Sequence, residues 1–248
     1  MARALITGIK GFAGSHLAEH LLEHDVEVSG LDLEAAPNHN LRAILSSLKL
    51  YGCDLLDRGR LTDLLVQARP DHIYHLAAQT SVRSSWDDPG ATLAANIMGT
   101  LHLLEAARAI RPKKVKILVV SSAEVYGIAA NQGETLTEEH PLQPLTPYAI
   151  SKVCVEWICQ HLEVAKALHI VLVRPFNHIG PRQDGRFVLS NFACQVAEME
   201  IGKRPLTLKV GDLSVGRDFT DVRDVARAYR LAIEKGTPGE VYNICSGK

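Results

Sequence analysis

Short β-branched and leucine-rich runs alternate with longer stretches whose apolar residues fall three and four apart. The runs occupy residues 4–7, 26–31, 48–53, 72–76, 115–121, 170–174 and 241–245, and the helical pattern covers 13–24, 60–68, 91–110, 147–168, 187–201 and 221–234. Strand runs that are apolar throughout, instead of alternating, belong to a sheet covered on both faces, and a strand-helix-strand order demands parallel neighbours. The expected fold class is α/β, a doubly wound parallel sheet with helices on both faces. Two stretches break the regularity, 124–146 after the fifth strand and 175–186 after the sixth. Long loops at the carboxyl ends of parallel strands are where ligands bind in such sheets.

Composition adds exclusions. Of 248 residues 46% are hydrophobic and 22% charged, which rules out collagen-like, coiled-coil and disordered chains. Lys and Arg number 27 against 28 Asp and Glu, so nucleic acid and anionic membrane are not expected partners. The longest apolar runs, such as 117–120, are too short to span a bilayer, and the chain runs from Met1 straight into a strand. A cytoplasmic location is expected. Cys53, Cys154, Cys159, Cys194 and Cys245 lie in apolar stretches without CxxC spacing and read as buried thiols of a reducing compartment.

Between the first strand and first helix, Gly8, Gly11 and Gly14 stand three apart. The first permits a tight turn, the second lets backbone approach a pyrophosphate, and the third lets helix and strand pack closely, with the helix N-terminus facing the phosphates. Asp32 ends the second strand, near the offset where an acid meets the adenosine ribose. A carboxylate there favours NAD (NADH) over NADP, while Arg42 leaves NADP open. Asp54, just past the third strand, is placed either to read an adenine edge or to cap the following turn.

Thr146-Pro147 reads as a helix start, which puts Tyr148 and Lys152 one turn apart on one face. A lysine ammonium lowers a tyrosine pKa toward the working range and makes the phenol a usable acid or base.

These motifs, with His75-Leu76-Ala77-Ala78, Asn96, and Ser121-Ser122-Ala123-Glu124-Val125-Tyr126-Gly127, resemble the extended short-chain dehydrogenase/reductase family over essentially the whole chain. The resemblance implies a Rossmann-like sheet with a small, incomplete substrate lobe: residues 1–174 as dinucleotide-binding domain, 175–220 as substrate-binding segment, and 221–248 returning to the first domain. It also implies that Phe12, Leu55, Leu76, Ala77, Ala78 and Gln79 line the nucleotide, that Ser122 bonds the reacting oxygen, that Lys152 also holds the nicotinamide ribose, and that Asn96 is structural. Within the family, the stretches 174–181 and 216–224 are most similar to GDP-6-deoxy-4-keto-mannose reductases, which make GDP-rhamnose, with GDP-mannose 4,6-dehydratases as near relatives. On that resemblance a GDP-linked sugar is the substrate. Asn177 and Arg217 would bind its diphosphate, Phe187, Val188 and Asn191 would lie near the base, and Ser81 and Arg83 near the sugar. Arg217 has a second reading, pairing with Asp221 or Asp224.

A reductase needs hydride at C4, a proton from Tyr148 and polarisation by Ser122. A dehydratase oxidises C4, removes the C5 proton and expels the C6 hydroxyl, which takes a further base, and Glu124 is placed to be one. Ala123 beside it and Phe219-Thr220-Asp221-Val222 depart from the dehydratase pattern, so the reductase is preferred. A structural Glu124, bonded to backbone or an arginine, would fit that choice. A 4-epimerase and a noncatalytic NAD-binding protein stay open, although Ser122, Tyr148 and Lys152 are all intact.

His16, His20 and His24 repeat every four residues, a spacing that can hold zinc, but no further ligand falls in register and they read as a solvated stripe. No metal is expected. His178 touches a sugar hydroxyl or fills space. Trp157 and Cys154 share the helix of Tyr148 and pack against the sheet or a second subunit, and a homodimer is expected by resemblance. The chain ends just after the last strand of the nucleotide domain whereas relatives continue, so it reads as a fragment or shortened member.

Overall fold

A computed structural model describes residues 1–110, 115–131, 135–164 and 168–247. Seven parallel strands form the main sheet: β1 (Arg3–Thr7), β2 (Glu27–Asp32), β3 (Leu48–Gly52), β4 (His72–His75), β5 (Lys116–Val120), β6 (His169–Pro175) and β9 (Val241–Ile244), in the order β3-β2-β1-β4-β5-β6-β9. Every predicted strand is present to within two residues at either end. The helices are α1 (Phe12–Leu22), α2 (Arg58–Ala68), α3 (Val82–Asp87), α4 (Pro89–Leu93), α5 (Gly99–Ala109), α6 (Pro147–Val164), α7 (Val188–Glu200) and α8 (Val222–Lys235). The chain turns back between β1 and β4, which leaves a crevice at their carboxyl ends.

The uniform apolarity of the strands has the cause expected of it. Leu5, Ile73, Ile117 and Leu172 point into one core with Leu61, Leu103 and Val155, while Ala4, Ile6, Tyr74, Leu118 and Val173 point into the other with Leu17 and Tyr229. In α8, Val222, Val225, Ala226, Tyr229 and Ile233 are buried, a stripe of one helical face laid on the sheet beside α1.

Two differences from the sequence reading have physical reasons. The helix expected over 91–110 is interrupted at Ala94–Met98 by a wider π turn, which carries Asn96. Within the second excursion, β7 (Asn177–Ile179) pairs with β8 (Phe219–Asp221) in a separate two-stranded sheet, and a partner some forty positions away leaves no local signal. The last residues of the helix expected over 147–168 include 165–167, outside the described residues.

Burial also departs from expectation. Cys53 and Cys159 are buried, but Cys154 is half-buried and Cys194 and Cys245 are exposed. His16 is not solvated: it is buried, with Nδ1 2.7 Å from Arg182 Nη2 and Nε2 3.0 Å from the Pro181 carbonyl. Trp157 is 62% exposed, so it does not pack against the sheet. Among the described residues no group of three His, Cys, Asp or Glu could hold a metal ion, and no helix is long and apolar enough to cross a membrane.

Candidate active site

One cavity of about 1240 Å³ opens at the carboxyl ends of the central strands. Its floor is the glycine turn. Gly8 has φ +72°, and its N–H donates to the Leu31 carbonyl, which fixes the turn against β2. A Cβ on Gly14 would stand 2.3 Å from the Gly8 carbonyl oxygen, so only glycine lets α1 begin this close to β1. Gly11, the residue before α1, supplies no side-chain cap, which leaves first-turn N–H groups beside the cavity for an anion. This cradle, already closed to a Cβ, fits a dinucleotide pyrophosphate.

Asp32 lies at the rim. Its carboxylate accepts from the backbone N–H of Lys10 at 3.1 Å and of Leu33 at 3.0 Å, and Lys10 Nζ is 3.8 Å away. The amides of Asn38 and Asn40 both donate to the Lys10 carbonyl at 2.9 Å. Asn40 Oδ1 is buried without a partner among the described residues, an acceptor ready for a donor. Arg42 is exposed and outside the cavity lining. Asp54 lines the cavity and also accepts from Leu56 N–H at 2.9 Å, so the cap and the cavity position coincide.

Next to the turn, His75 is fully enclosed. Thr100 Oγ1 donates to the Asn96 carbonyl at 2.6 Å, so it must accept from His75 Nε2–H at 2.9 Å, and His75 Nδ1 then accepts from Thr7 Oγ1 at 2.7 Å. Thr7 in turn accepts from Ala77 N–H at 3.2 Å, which ties the stretch after β4 to the glycine strand. Burial pushes the imidazole down to about 3, with the Lys152 charge lowering it further. The unfolded chain therefore binds a proton below about 6.5 that the folded one refuses, and the stability His75 contributes is present above that pH and lost toward pH 3. The melting temperature is expected to drop steeply over this range, and His75→Gln to flatten the drop; parallel curves would refute the assignment.

Further along the cavity wall stand Ser122, Tyr148 and Lys152. Thr146 caps α6 through Ala149 N–H at 3.0 Å, as its sequence foretold. Tyr148 is buried and hydrogen-bonded with Ser122. Burial pushes its phenol up to about 12, the Ser122 bond pulls it down, and the Glu124 charge raises it. The expected lowering by lysine is therefore not what dominates: Lys152 Nζ stands 5.9 Å from the Tyr148 ring centre and donates to the Val120 carbonyl at 2.7 Å. Burial brings the Lys152 ammonium down to about 8. Asn96 bonds both ways with the Gln79 backbone and donates to Ser151 Oγ, whose hydroxyl donates to the Tyr148 carbonyl, so the widened turn braces α6.

Glu124 stands exposed in the cavity wall. Among the described residues its carboxylate has no hydrogen bond or ion pair, which removes the structural role considered for it.

Of the residues singled out in the sequence, the cavity wall contains Gly8, Gly11, Phe12, Gly14, Asp32, Asp54, Leu55, Leu76, Ala77, Ala78, Gln79, Ser122, Glu124, Tyr148, Lys152, Asn177, Phe187 and Val188. Four of the residues expected to bind the sugar nucleotide lie outside it. Ser81 caps α3 by accepting from Ser84 N–H, and Arg83 is exposed on that helix. Asn191 is taken up by the Gly185 carbonyl and Gln195. Arg217 is exposed and donates to the Gly216 carbonyl; Asp221 pairs with Arg223 instead, and among the described residues the pairing weighed for Arg217 with Asp221 or Asp224 is not formed.

The cavity wall also contains His178, weighed in the sequence as a sugar contact or a space filler, and it adds Lys10, Asn38, Asn40 and Arg182. His178 stacks on Phe12 at 5.8 Å, with Nδ1 3.1 Å from the Phe176 carbonyl. Arg182, at φ +73°, is clamped by both Glu19 carboxylate oxygens and the Asn40 carbonyl, tying the second excursion to α1. Lys10 was visible inside the glycine turn; the others depend on contacts between distant segments.

The family model for GDP-mannose 4,6 dehydratase matches residues 5–248. The chain belongs to this family. It is accordingly an enzyme of the extended short-chain dehydrogenase/reductase type, as its motifs implied. Among family relatives, the GDP-6-deoxy-D-mannose reductase of Pseudomonas aeruginosa is 39% identical over 99% of this chain and 75% of its own length. A GDP-mannose 4,6-dehydratase of Vibrio cholerae is 31% identical over 99% and 68%. The RMD protein of Pseudomonas aeruginosa, solved with NADPH, superposes with a TM-score of 0.85 at 37% identity, covering all of this chain and 79% of that one. The UDP-glucose 4-epimerase of Thermus thermophilus, solved with NAD, gives 0.86 at 33% identity, covering 99% and 78%.

Proposed function

We propose that the protein is a nicotinamide-dependent reductase of a nucleotide-linked keto sugar, with GDP-4-keto-6-deoxymannose as substrate and GDP-rhamnose as product. The observation that carries this reading is geometric: Ser122, Tyr148 and Lys152 line the same cavity as the glycine turn, so a proton donor stands beside the place where a nicotinamide would lie. A nicotinamide held by the glycine turn would supply the hydride for C4. Tyr148 passes its proton to the C4 oxygen, Ser122 donates a hydrogen bond to the same oxygen, and the Lys152 ammonium steadies the phenolate left behind. The 39% identity with a GDP-6-deoxy-D-mannose reductase supports the substrate class.

The segment 175–220 is proposed to hold the sugar nucleotide, with Asn177, Phe187 and Val188 in contact. Exposed Ile150 and Trp157 on α6 support a homodimer through that helix. The test is spectrophotometric: loss of NADH or NADPH absorbance on adding the keto sugar is expected. Unchanged cofactor, together with ketone formation from GDP-mannose alone, would overturn the reductase and establish a dehydratase. The Glu124 carboxylate, without a partner among the described residues, favours that second reading, since a C5 base must be free to take a proton.

For the cofactor, Asp32 supports NADH through the ribose hydroxyl, but the carboxylate is already hydrogen-bonded and faced by Lys10, which mutes its repulsion of a 2′-phosphate. NADPH is expected to bind within about tenfold of NADH, and Lys10→Ala to widen that gap several-fold, on the order of 1 kcal/mol for a lost ionic contact at a half-exposed site. Cofactor fluorescence titration measures both; an unchanged ratio in Lys10→Ala would show that Lys10 plays no part.

A further inference from the structure

The face of α6 that carries Tyr148 and Lys152 continues, one turn further, to Glu156. These three residues engage three consecutive residues at the end of β5: Tyr148 bonds Ser122, Lys152 Nζ donates to the Val120 carbonyl, and Glu156 Oε1 accepts from Ser121 Oγ. Glu156 is 0% exposed and its carboxylate is matched to Arg174, 4% exposed at the end of β6, by two bonds of 3.0 and 2.7 Å. Arg174 is itself placed by the Tyr126 hydroxyl at 2.9 Å and the Glu138 carbonyl at 3.1 Å. A buried ion pair is costly to assemble and is poorly explained by stability alone, since apolar residues of the same volume serve as well. Its place explains it better. It lies directly behind the turn that presents Ser122.

We propose that Glu156 is a positioning residue for the reaction: through Ser121 it fixes the turn that aims Ser122, and its negative charge holds Lys152 in the ammonium form within a site otherwise hostile to charge. This rests on Ser122, Tyr148 and Lys152 being the proton machinery. Around Lys152, Tyr148, Glu156 and Cys159 face it from α6, His75 from β4, and the Val120 carbonyl from the end of β5. The Tyr148 phenol and Cys159 thiol are pushed up and the His75 imidazole down, so all three are uncharged near neutral pH. Glu156 is then the one carboxylate among these neighbours.

Lys152 can be watched without any substrate. In protein carrying 13C-lysine, its Cε signal is identified by its loss in Lys152→Met and followed with pH. The wild-type midpoint is expected near 8. In Glu156→Gln it falls by about one unit or more, the effect of removing an opposite charge at close range. Ser121→Ala keeps the charge and leaves the midpoint where it was, while kcat for the keto sugar drops about 10- to 100-fold with KM little changed, as a displaced Ser122 requires. Glu156→Gln strands Arg174, so if that variant does not fold, the double variant Glu156→Gln with Arg174→Gln is compared with Arg174→Gln alone, a reference from which it differs only in the Glu156 charge. A folded variant of either kind with an unshifted Lys152 midpoint overturns the charge role, and full turnover in Ser121→Ala overturns the positioning role. A wild-type protein that leaves the keto sugar untouched overturns the reductase reading alone, because the Lys152 midpoint does not depend on it.

Discussion

Tyr148→Phe is expected to lower reduction of the keto sugar by about 10²- to 10⁴-fold, the usual worth of a positioned general acid, while the dissociation constant of NADH stays within about twofold of wild type. The reason is local. Only the phenolic oxygen is removed, and with it the Ser122 bond; the ring still fills its buried place on α6. Lys152, bonded to the Val120 carbonyl and not to the phenol, keeps its position toward the cofactor. Steady-state turnover and fluorescence titration on the same preparation separate the two effects. Equal loss of cofactor binding and turnover would mean that Tyr148 holds the fold of the site and not the proton. Ser122→Ala should reduce turnover less, since the acid remains.

The second large effect is expected at Gly14. An alanine Cβ there meets the Gly8 carbonyl oxygen at 2.3 Å and Ile9 Cα at 2.9 Å, and both are backbone atoms that cannot swing aside. The start of α1 must move off the glycine turn, at a cost of about 1–3 kcal/mol for overpacking, and the N–H groups that face the pyrophosphate move with it. Cofactor affinity is expected to fall by more than about tenfold, since 1.4 kcal/mol is a decade, with a lowered melting temperature. Gly211→Ala, where a Cβ would meet nothing within 4 Å, should leave both unchanged. Calorimetric titration and a thermal melt check this, and normal affinity in Gly14→Ala would show that the cradle tolerates displacement.

Those two sites were legible in the chain because both are local. Gly8, Gly11 and Gly14 act within one turn, and Tyr148 and Lys152 are brought together by helix geometry alone, so spacing carries the information. The state of the phenol was not legible. Spacing suggested that lysine lowers it, whereas burial by segments far away in sequence raises it. Asp32 was found by offset, but not the Lys10 and Leu33 amides already bonded to it. Ser81 sat near a plausible sugar site in sequence and is used instead as a helix cap, a role any serine before a helix can take. His16 shows the same limit: a four-residue repeat placed it on a helix face, and Arg182, 166 positions away, decided that this face is buried.

By itself, then, the order of apolar runs determined a two-faced parallel sheet, because a strand buried on both sides must be apolar on both, and the short motifs determined the glycine turn and the placing of Tyr148 beside Lys152, because their geometry closes within one or two turns of chain. The tertiary structure alone decided which charges stand free and which are spent. It spent Arg182 on Glu19 and Arg174 on Glu156, left Glu124 in the cavity wall without a partner among the described residues, and set Glu156 behind Ser122. Pairing of that kind depends on distances between residues remote in sequence, and burial, which sets the strength of each charge, is a property of the packed molecule and not of any segment of it.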